Sequence, residues 1–155
     1  MSRAFVKEPD GGEAIEPLPD RPISPHPNLV TPEGLASIDA HLEDLRARQA
    51  MAQAADDRAA LAQIGRDARY WSARRATAQV VVAPQHPTEV SFGTTVTFAR
   101  DDGRRQTYRI VGEDEADPAQ GTLSHAAPVA RALFGKKVGD VVEADNAELE
   151  VLEIK

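Results

Sequence analysis

The sequence contains no cysteine, few aromatic residues and no long apolar run. Without cysteine, the chain can form neither a disulfide framework nor a thiolate metal site. No segment approaches the ~20 apolar residues of a membrane helix, and residues 1–10 contain no apolar signal core. Aromatic residues make up only 5% of the chain, so few large side chains can anchor a core. We therefore expect a cytoplasmic protein that does not contact the membrane.

Signatures of catalysis and of cofactor binding are also missing. A chain of 155 residues allows one or two small domains, but not a large catalytic core with its own deep cleft. The four histidines lack metal-ligand spacing, and no Gly-rich phosphate loop or nucleophile elbow is present. The formal net charge of −7 and the lack of a DNA-binding motif argue against sequence-specific DNA recognition. We expect no enzymatic activity and no cofactor of its own.

Three zones of different composition divide the chain. Residues 1–30 hold six of the eleven prolines, which delete backbone donors and disfavour helix, so we expect an extended or disordered arm. Residues 31–79 are dense in Ala, Leu, Arg, Glu and Gln, which favour helix. Residues 80–155 alternate β-branched residues with turn signals, which is typical of strands. The predicted fold class is therefore α+β.

The second zone predicts an antiparallel helical coiled-coil hairpin. Thr31, Pro32 and Glu33 supply a capping hydroxyl, a proline suited to the first helical position and an acid favoured by the helix dipole. Two stripes then repeat at spacings of three and four: Leu35, Ile38, Leu42 and Leu45, and further on Leu61, Ile64, Ala68, Trp71, Arg75 and Ala78. Stripes of matching width predict two packed legs that turn within residues 53–57. One long helix, or two legs of a small bundle, are the alternatives.

Arginines are concentrated on the second leg of this hairpin. Residues 58–79 carry Arg58, Arg66, Arg69, Arg74 and Arg75 against a single acid, Asp67. A basic face of this kind attracts phosphates or acidic protein surfaces. Solvated arginines that flank the apolar stripe are an equally good interpretation. We interpret Trp71 as a core residue rather than a platform for a base.

The third zone predicts a small antiparallel sheet with one short helix. Strands alternate on both sides of an Asp-Gly turn at residues 102–103, and Pro128 is placed to open a helix that Gly135 ends. Residues 147–154 switch the parity of their apolar positions, which predicts a bulge or burial on both faces. We interpret the acids of residues 113–117 as a solvated polar loop rather than as a cation site.

Four segments, taken in order, carry a resemblance to a known family: residues 28–35, 92–96, 108–117 and 128–140. They resemble the Gre family of transcript-cleavage and elongation factors. The most specific of them are 108–117 and 128–140, which follow one another as in that family. The resemblance implies an N-terminal antiparallel coiled coil and a C-terminal domain related in fold to FK506-binding proteins.

The resemblance also implies a partner, which is RNA polymerase. The globular domain would dock on the rim of the secondary channel, for which we select Pro128, Arg131, Leu133 and Phe134 as the surface or its support. The coiled coil would enter the channel, and two carboxylates at its tip would share a catalytic Mg²⁺ with the polymerase active site. The basic leg leaves open a contact with nascent RNA.

The sequence departs from the family pattern at the tip and in the docking segment. The family's acidic tip motif has no counterpart, and the turn offers only Asp56 and Asp57 as candidate tip acids. Each helix is about two turns short of the family pattern, which removes on the order of 10 Å of reach. Ala126 and Ala127 precede Pro128, where the family has a polar residue and a serine.

These departures predict a protein that binds the secondary channel and regulates elongation without strong stimulation of transcript cleavage. One alternative is a cleavage-stimulating factor that uses Asp56 and Asp57. Another is a protein-interaction module that acts independently of polymerase. The hairpin length favours the first of the three interpretations.

Overall fold

The structure is a computed structural model that describes residues 17–155, so the first sixteen residues of the predicted arm lie outside the described part of the chain. Residues 17–28 contain neither helix nor strand. Two long helices follow, and then a five-stranded sheet with one short helix. The α+β class predicted from the sequence is confirmed.

The two long helices form an antiparallel hairpin. Helix α1 spans Pro32–Ala54 and helix α2 spans Arg58–Thr77. The Thr31 side chain accepts a hydrogen bond from the backbone N–H of Gly34 at 3.0 Å, so α1 begins at the predicted cap. His41 of α1 stacks on Trp71 of α2 with ring centroids 4.2 Å apart. Closer to the turn, Ala52 of α1 belongs to the same apolar cluster as Ile64 of α2. The hairpin is confirmed, and a single unbroken helix is excluded.

A narrow seam holds the two helices together. Ile38, Leu45 and Ala52 are buried on α1 at intervals of seven residues, which is the spacing of a coiled-coil stripe. Leu35 and Leu42, which belong to the same predicted stripe, are only half-buried. From α2, Ile64 is 4% exposed and Trp71 packs alongside. The hairpin of α1 and α2, which we call the rod, therefore has a thin apolar core.

A second, larger core lies under the five-stranded sheet. The strands are β3 (Thr95–Arg100), β4 (Arg105–Val111), β5 (Thr122–Ser124), β6 (Val141–Ala144) and β7 (Ala147–Ile154), in the order β5-β4-β3-β7-β6. Helix α3 (Pro128–Leu133) supplies Leu133, which is fully buried against Phe98, Ile110 and Leu149. The predicted bulge is present, because the register of β7 on β3 shifts between Thr97 and Phe98.

One strand pair differs from the predicted antiparallel sheet. β5 runs parallel to β4, with Arg109 opposite Thr122 and Val111 opposite Ser124. The segment between them, residues 112–121, includes a 3₁₀ turn at Pro118–Gln120. It carries the chain back along β4, so that β5 can run in the same direction as β4. A parallel neighbour requires such a crossover, whereas a tight turn would have produced an antiparallel one. The sheet is therefore mixed.

A short parallel ladder closes the base of the hairpin. Strand β1 (Leu29–Val30) precedes α1 and pairs with strand β2 (Gln79–Val80), which follows α2. The Asn28 side chain adds a bond from its amide nitrogen to the Arg74 carbonyl at 2.7 Å. Among the described helices, none is both long enough and apolar enough to cross a membrane.

Candidate functional site

The hairpin tip is a three-residue turn with a defined helix stop. The Asp57 N–H donates to the Ala52 carbonyl at 2.9 Å, and the Asp56 N–H donates to the Gln53 carbonyl at 3.2 Å. Asp56 has φ = 49°, in the left-handed region. Together these form a Schellman motif with aspartate in the position that glycine usually occupies. The backbone of Asp56 therefore has a structural task of its own.

The Asp57 carboxylate begins the second helix. Its Oδ1 accepts a hydrogen bond from the Ala60 N–H at 3.1 Å, which is the bond of an N-cap residue. The two candidate tip acids are thus adjacent, but one carboxylate is engaged by α2. Within residues 17–155, no group of three or more His, Cys, Asp or Glu side chains is placed to hold a metal ion. The tip does not fit a Mg²⁺ site built from this chain alone.

An apolar groove lies beside the turn instead. It encloses about 310 Å³ and is lined by Arg48, Met51, Ala52, Ala55, Asp57, Ala60 and Ile64. Met51 is 72% exposed at its edge. The sequence analysis did not single out Met51, because it lies outside the stripe that defines the seam. The tip therefore offers a partner an apolar surface beside one arginine and one aspartate.

The predicted basic face on α2 is partly neutralised. Arg69 Nε lies 2.5 Å from Asp20 Oδ1, and an Arg69 amino group donates to the Leu18 carbonyl at 3.1 Å. Arg66 Nε lies 3.5 Å from Asp67 Oδ1. Arg66 and Arg69 remain 36% and 46% exposed, and Arg58 is the first residue of α2. This face therefore offers a partner Arg58, Arg66 and Arg69, which are partly or fully exposed, and it is not an unpaired basic surface.

Arg74 does not belong to that face. Its side chain is only 2% exposed, and its Nε donates to Asp114 Oδ2 at 2.6 Å. Inclusion of Arg74 in the exposed basic set is therefore corrected, because its guanidinium points into the junction with the sheet. The acid that pairs with Arg74 is Asp114, which lies in the loop after β4 and is 12% exposed.

Residues of the proline-rich arm lie along α2. The guanidinium of Arg21 sits 3.9 Å from the centre of the Tyr70 ring, and it also approaches Asp67 at 3.4 Å. Tyr70 in turn meets Trp71 edge to face at 5.1 Å. These contacts are partly exposed, so each contributes on the order of 1 kcal/mol or less. The described part of the arm is extended and packed onto the rod.

Three consecutive acids of the loop between β4 and β5 join the sheet to the hairpin, and we call Glu113, Asp114 and Glu115 the acidic clamp. Glu115 Oε2 accepts the backbone N–H groups of Thr31 and Gly112, both at 3.0 Å, and Oε1 binds the Thr31 hydroxyl. The carboxylate therefore lies at the N-terminus of α1, where the helix dipole favours an anion.

The other two clamp acids contact α2 and the arm. Asp114 binds Arg74 as described and also accepts the Tyr70 hydroxyl. Glu113 accepts the Ser24 hydroxyl at 2.9 Å, and its second oxygen lies 3.9 Å from an Arg74 nitrogen. Our interpretation of the acids in this loop as solvated is wrong for these three, whereas Asp117 of the same segment is exposed. No periodicity in the sequence marks them, because their partners on the hairpin and the arm are far away along the chain.

Two groups at this junction have perturbed acidity. Burial, together with the hydrogen bond to the Asp114 carboxylate, raises the pKa of Tyr70 to about 12. Burial lowers the pKa of His125, although the nearby Glu113 charge opposes that shift. His125 packs edge to face on Phe92 at 5.7 Å. The junction therefore favours neutral His125 and neutral Tyr70 around a charged Arg74–Asp114 pair.

The predicted docking residues divide into surface and support. Pro128 and Arg131 are exposed on α3, whereas Leu133 is fully buried and Phe134 is half-buried against the core. Pro128 occupies the first position of α3, as its fixed φ favours. The surface that α3 offers is therefore built on Pro128 and Arg131, and Leu133 holds the helix to the sheet.

A helical hairpin joined to a small mixed sheet with one short helix defines the class of fold. Comparison with known proteins identifies the family. The family model described as "Transcription elongation factor, GreA/GreB, C-term" matches residues 84–155. Transcription elongation factor GreA of Rhodospirillum rubrum is 34% identical over 134 residues, with 74% of this chain and 85% of that protein covered. The chain therefore belongs to the GreA/GreB family of transcription elongation factors, which are accessory factors rather than enzymes.

Other relatives align over different lengths. The GreA protein of Pseudomonas putida is 48% identical over 75 residues, but that match covers 45% of this chain and only 47% of the relative. Among solved structures, the GreA factor homolog 1 (Gfh1) protein of Thermus thermophilus is 21% identical, with a TM-score of 0.40. That comparison covers 84% of this chain and 99% of the Thermus chain.

Proposed function

We propose that this protein binds RNA polymerase at its secondary channel in the cytoplasm and regulates elongation without strong stimulation of transcript cleavage. Membership of the GreA/GreB family supports the partner. The observation that carries the second half is the tip, where the Asp57 carboxylate caps α2 and Asp56 forms the helix stop. A carboxylate that already binds a helix N-terminus is a poor ligand for a shared metal ion.

Stimulation of cleavage would require both acids to reach one Mg²⁺. Carboxylate oxygens must lie about 2.0–2.1 Å from that ion, in nearly octahedral geometry. Asp57 would have to leave its cap, which would release an unsatisfied N–H group at the start of α2. The groove beside the turn is apolar and supplies no further acid to the ion. The cleavage-stimulating alternative therefore has the weaker support.

Docking would use the exposed end of α3. Pro128 and Arg131 are exposed, and Arg131 gives this surface a positive charge that an acidic rim could pair with. Arg131→Glu should therefore weaken the binding of core RNA polymerase in a pull-down. Arg104→Glu is the matched control, because Arg104 is also an exposed arginine, in the β3–β4 turn. Equal loss with both variants would show that only net charge matters.

The tip experiment uses substitutions that preserve the turn. Asp57→Asn keeps an oxygen to cap α2, and Asp56→Asn tolerates the left-handed conformation. With backtracked elongation complexes and Mg²⁺, we expect little cleavage from the unmodified protein and an unchanged effect on elongation from the double variant. Strong cleavage that the double variant loses would establish the cleavage-stimulating alternative.

A contact with nascent RNA would fall on the exposed arginines of α2. Arg66→Glu should then weaken binding to transcribing complexes more than to core polymerase, with a steeper salt dependence for the unmodified protein. Equal effects in both would place Arg66 against polymerase or solvent rather than RNA. If the unmodified protein binds no polymerase at all, the remaining alternative is a polymerase-independent interaction module.

A further inference from the structure

We propose that Glu113, Asp114 and Glu115 are positioning residues that hold the hairpin at one fixed orientation to the sheet. This inference rests on the proposed function, in which α3 docks and the hairpin tip must arrive at one place. Each acid binds a different segment of the chain outside the sheet. Glu115 binds the start of α1, Asp114 binds α2, and Glu113 binds the arm.

Three attachment points on three segments constrain rotation as well as separation. Glu115 alone would leave α1 free to swing about its first turn. Asp114 removes that freedom, because it binds Tyr70 and Arg74 toward the C-terminal end of α2, so that both helices are held. Glu113 adds the Ser24 contact, which ties the extended arm to the same loop. The three acids are consecutive, so a single short loop carries these three contacts, beside the more exposed pair of Arg109 on β4 with Glu33 on α1 at 3.3 Å.

Apolar packing reaches the sheet at the base of the rod, through Leu29, and not from the seam between the helices. The buried cluster of the hairpin, Leu45 with Ala52 and Ile64, is separate from the buried cluster under the sheet. Leu29 of the two-stranded β1–β2 ladder packs against the cluster under the sheet, so apolar packing anchors the base of the rod. The polar contacts of the clamp extend from that base to the start of α1 and to Arg74 on α2, and these contacts would set the angle between rod and sheet. Such contacts are directional, and they are stronger where they are buried.

Two glycines allow the close approach that the clamp requires. A Cβ added at Gly34, in the first turn of α1, would overlap the Glu115 carboxyl group. A Cβ added at Gly112 would overlap the Leu29 carbonyl oxygen. Neither glycine has a positive φ, so conformational freedom does not explain why glycine is present at these positions. The close contact between the rod and the acidic loop explains it, because a larger residue would overlap the neighbouring atoms.

The test measures orientation directly. The chain has no cysteine, so Met51→Cys and Val141→Cys introduce unique labelling sites on exposed side chains of the tip and of β6. Nitroxides at these sites should give one narrow distance distribution by double electron–electron resonance. The double variant Asp114→Ala, Glu115→Ala should broaden or shift it. An unchanged distribution in that double variant would overturn the proposal.

Matched variants separate orientation from loss of fold. Glu115→Gln keeps the acceptor for the two backbone N–H groups and should retain the narrow distribution. Glu150→Ala removes an exposed carboxylate of β7 and should also retain it. If the double alanine variant does not fold, Gly34→Ala takes its place, because it displaces the Glu115 side chain without removing it. A narrow, unshifted distribution in a folded Gly34→Ala protein would likewise contradict the proposal.

Polymerase assays distinguish this inference from the proposed function. A clamp variant that folds should still bind polymerase through α3, but should lose the effect of the hairpin on elongation. If the unmodified protein does not bind polymerase, the proposed function fails, while the distance measurements still decide whether the clamp sets orientation. If clamp variants bind and act normally despite a broadened distribution, the clamp fixes orientation without serving the function, and the positioning role is rejected.

Discussion

The hairpin and the sheet are stabilised in different ways. The hairpin has a thin seam, with Leu45 and Ile64 among its few buried apolar side chains, and its stability depends on local features such as caps and turns. The sheet buries Phe98, Leu133 and Leu149 completely in a continuous core. The hairpin therefore keeps its shape with a small apolar core, whereas the sheet supplies most of the apolar burial.

The largest predicted effect separates the two cores. Phe98→Ala should destabilise the sheet by about 3–5 kcal/mol, because Phe98 is completely buried there. Leu45→Ala should cost about 2 kcal/mol, since the thin seam can partly collapse around the smaller side chain. Hydrogen exchange read separately on β3 and on α1 measures both. Equal loss of protection in both regions with either variant would mean that rod and sheet unfold as one unit.

The next prediction concerns the junction. Arg74→Met should cost about 3–5 kcal/mol, because it leaves the Asp114 carboxylate in a mostly buried site with the Tyr70 hydroxyl but without its cationic partner. Arg75→Met is the matched control on the next residue. Arg75 pairs with Asp39 at 2.7 Å, but both side chains are about half exposed. Loss of this ion pair should therefore cost about 0–1 kcal/mol. Urea denaturation followed by Trp71 fluorescence compares the two, and similar costs would contradict the assigned burial.

A smaller effect is expected at the tip. Asp57→Ala should destabilise the hairpin by about 1 kcal/mol through loss of its N-cap, whereas Asp57→Asn should be nearly neutral. Asp56→Gly should increase stability by up to about 1 kcal/mol, because glycine adopts the left-handed conformation without steric cost. Thermal unfolding followed by circular dichroism measures all three. Destabilisation by Asp56→Gly would argue against the Schellman geometry.

The smallest effect is a shift in a titration. The pKa of Tyr70 is raised to about 12, so Tyr70 contributes stability that is fully present below its ordinary pKa of 10.0 and is lost as the pH rises toward 12. Asp114→Asn removes the negative charge at its hydroxyl and should lower the pKa of Tyr70. Ultraviolet absorbance of the tyrosinate measures it, in a Tyr108→Phe background that leaves one tyrosine. An unchanged pKa of Tyr70 in the Asp114→Asn variant would contradict the contact between the Tyr70 hydroxyl and the clamp.

Local signals in the sequence predicted much of this fold. The cap at Thr31, the turn near Asp56 and the parity change before Ile154 each depend on neighbouring residues, and each corresponds to an observed feature. The parallel partner of β4 and the acidic clamp depend on residues far apart in the chain, so no periodicity marks them. Arg74 looked like a surface arginine because only its distant acids identify it as buried. Gly34 and Gly112 were the available clues, since each marks a close approach.

The ladder of β1 and β2 has a further consequence for how such a rod can vary. Because the strand before α1 pairs directly with the strand after α2, the entry and exit of the hairpin are fixed side by side whatever lies beyond them. Rod length is then a modular quantity. Insertion of seven residues into each leg would preserve the stripe and extend the tip by about 10 Å, while the base and the five-stranded sheet remain as they are.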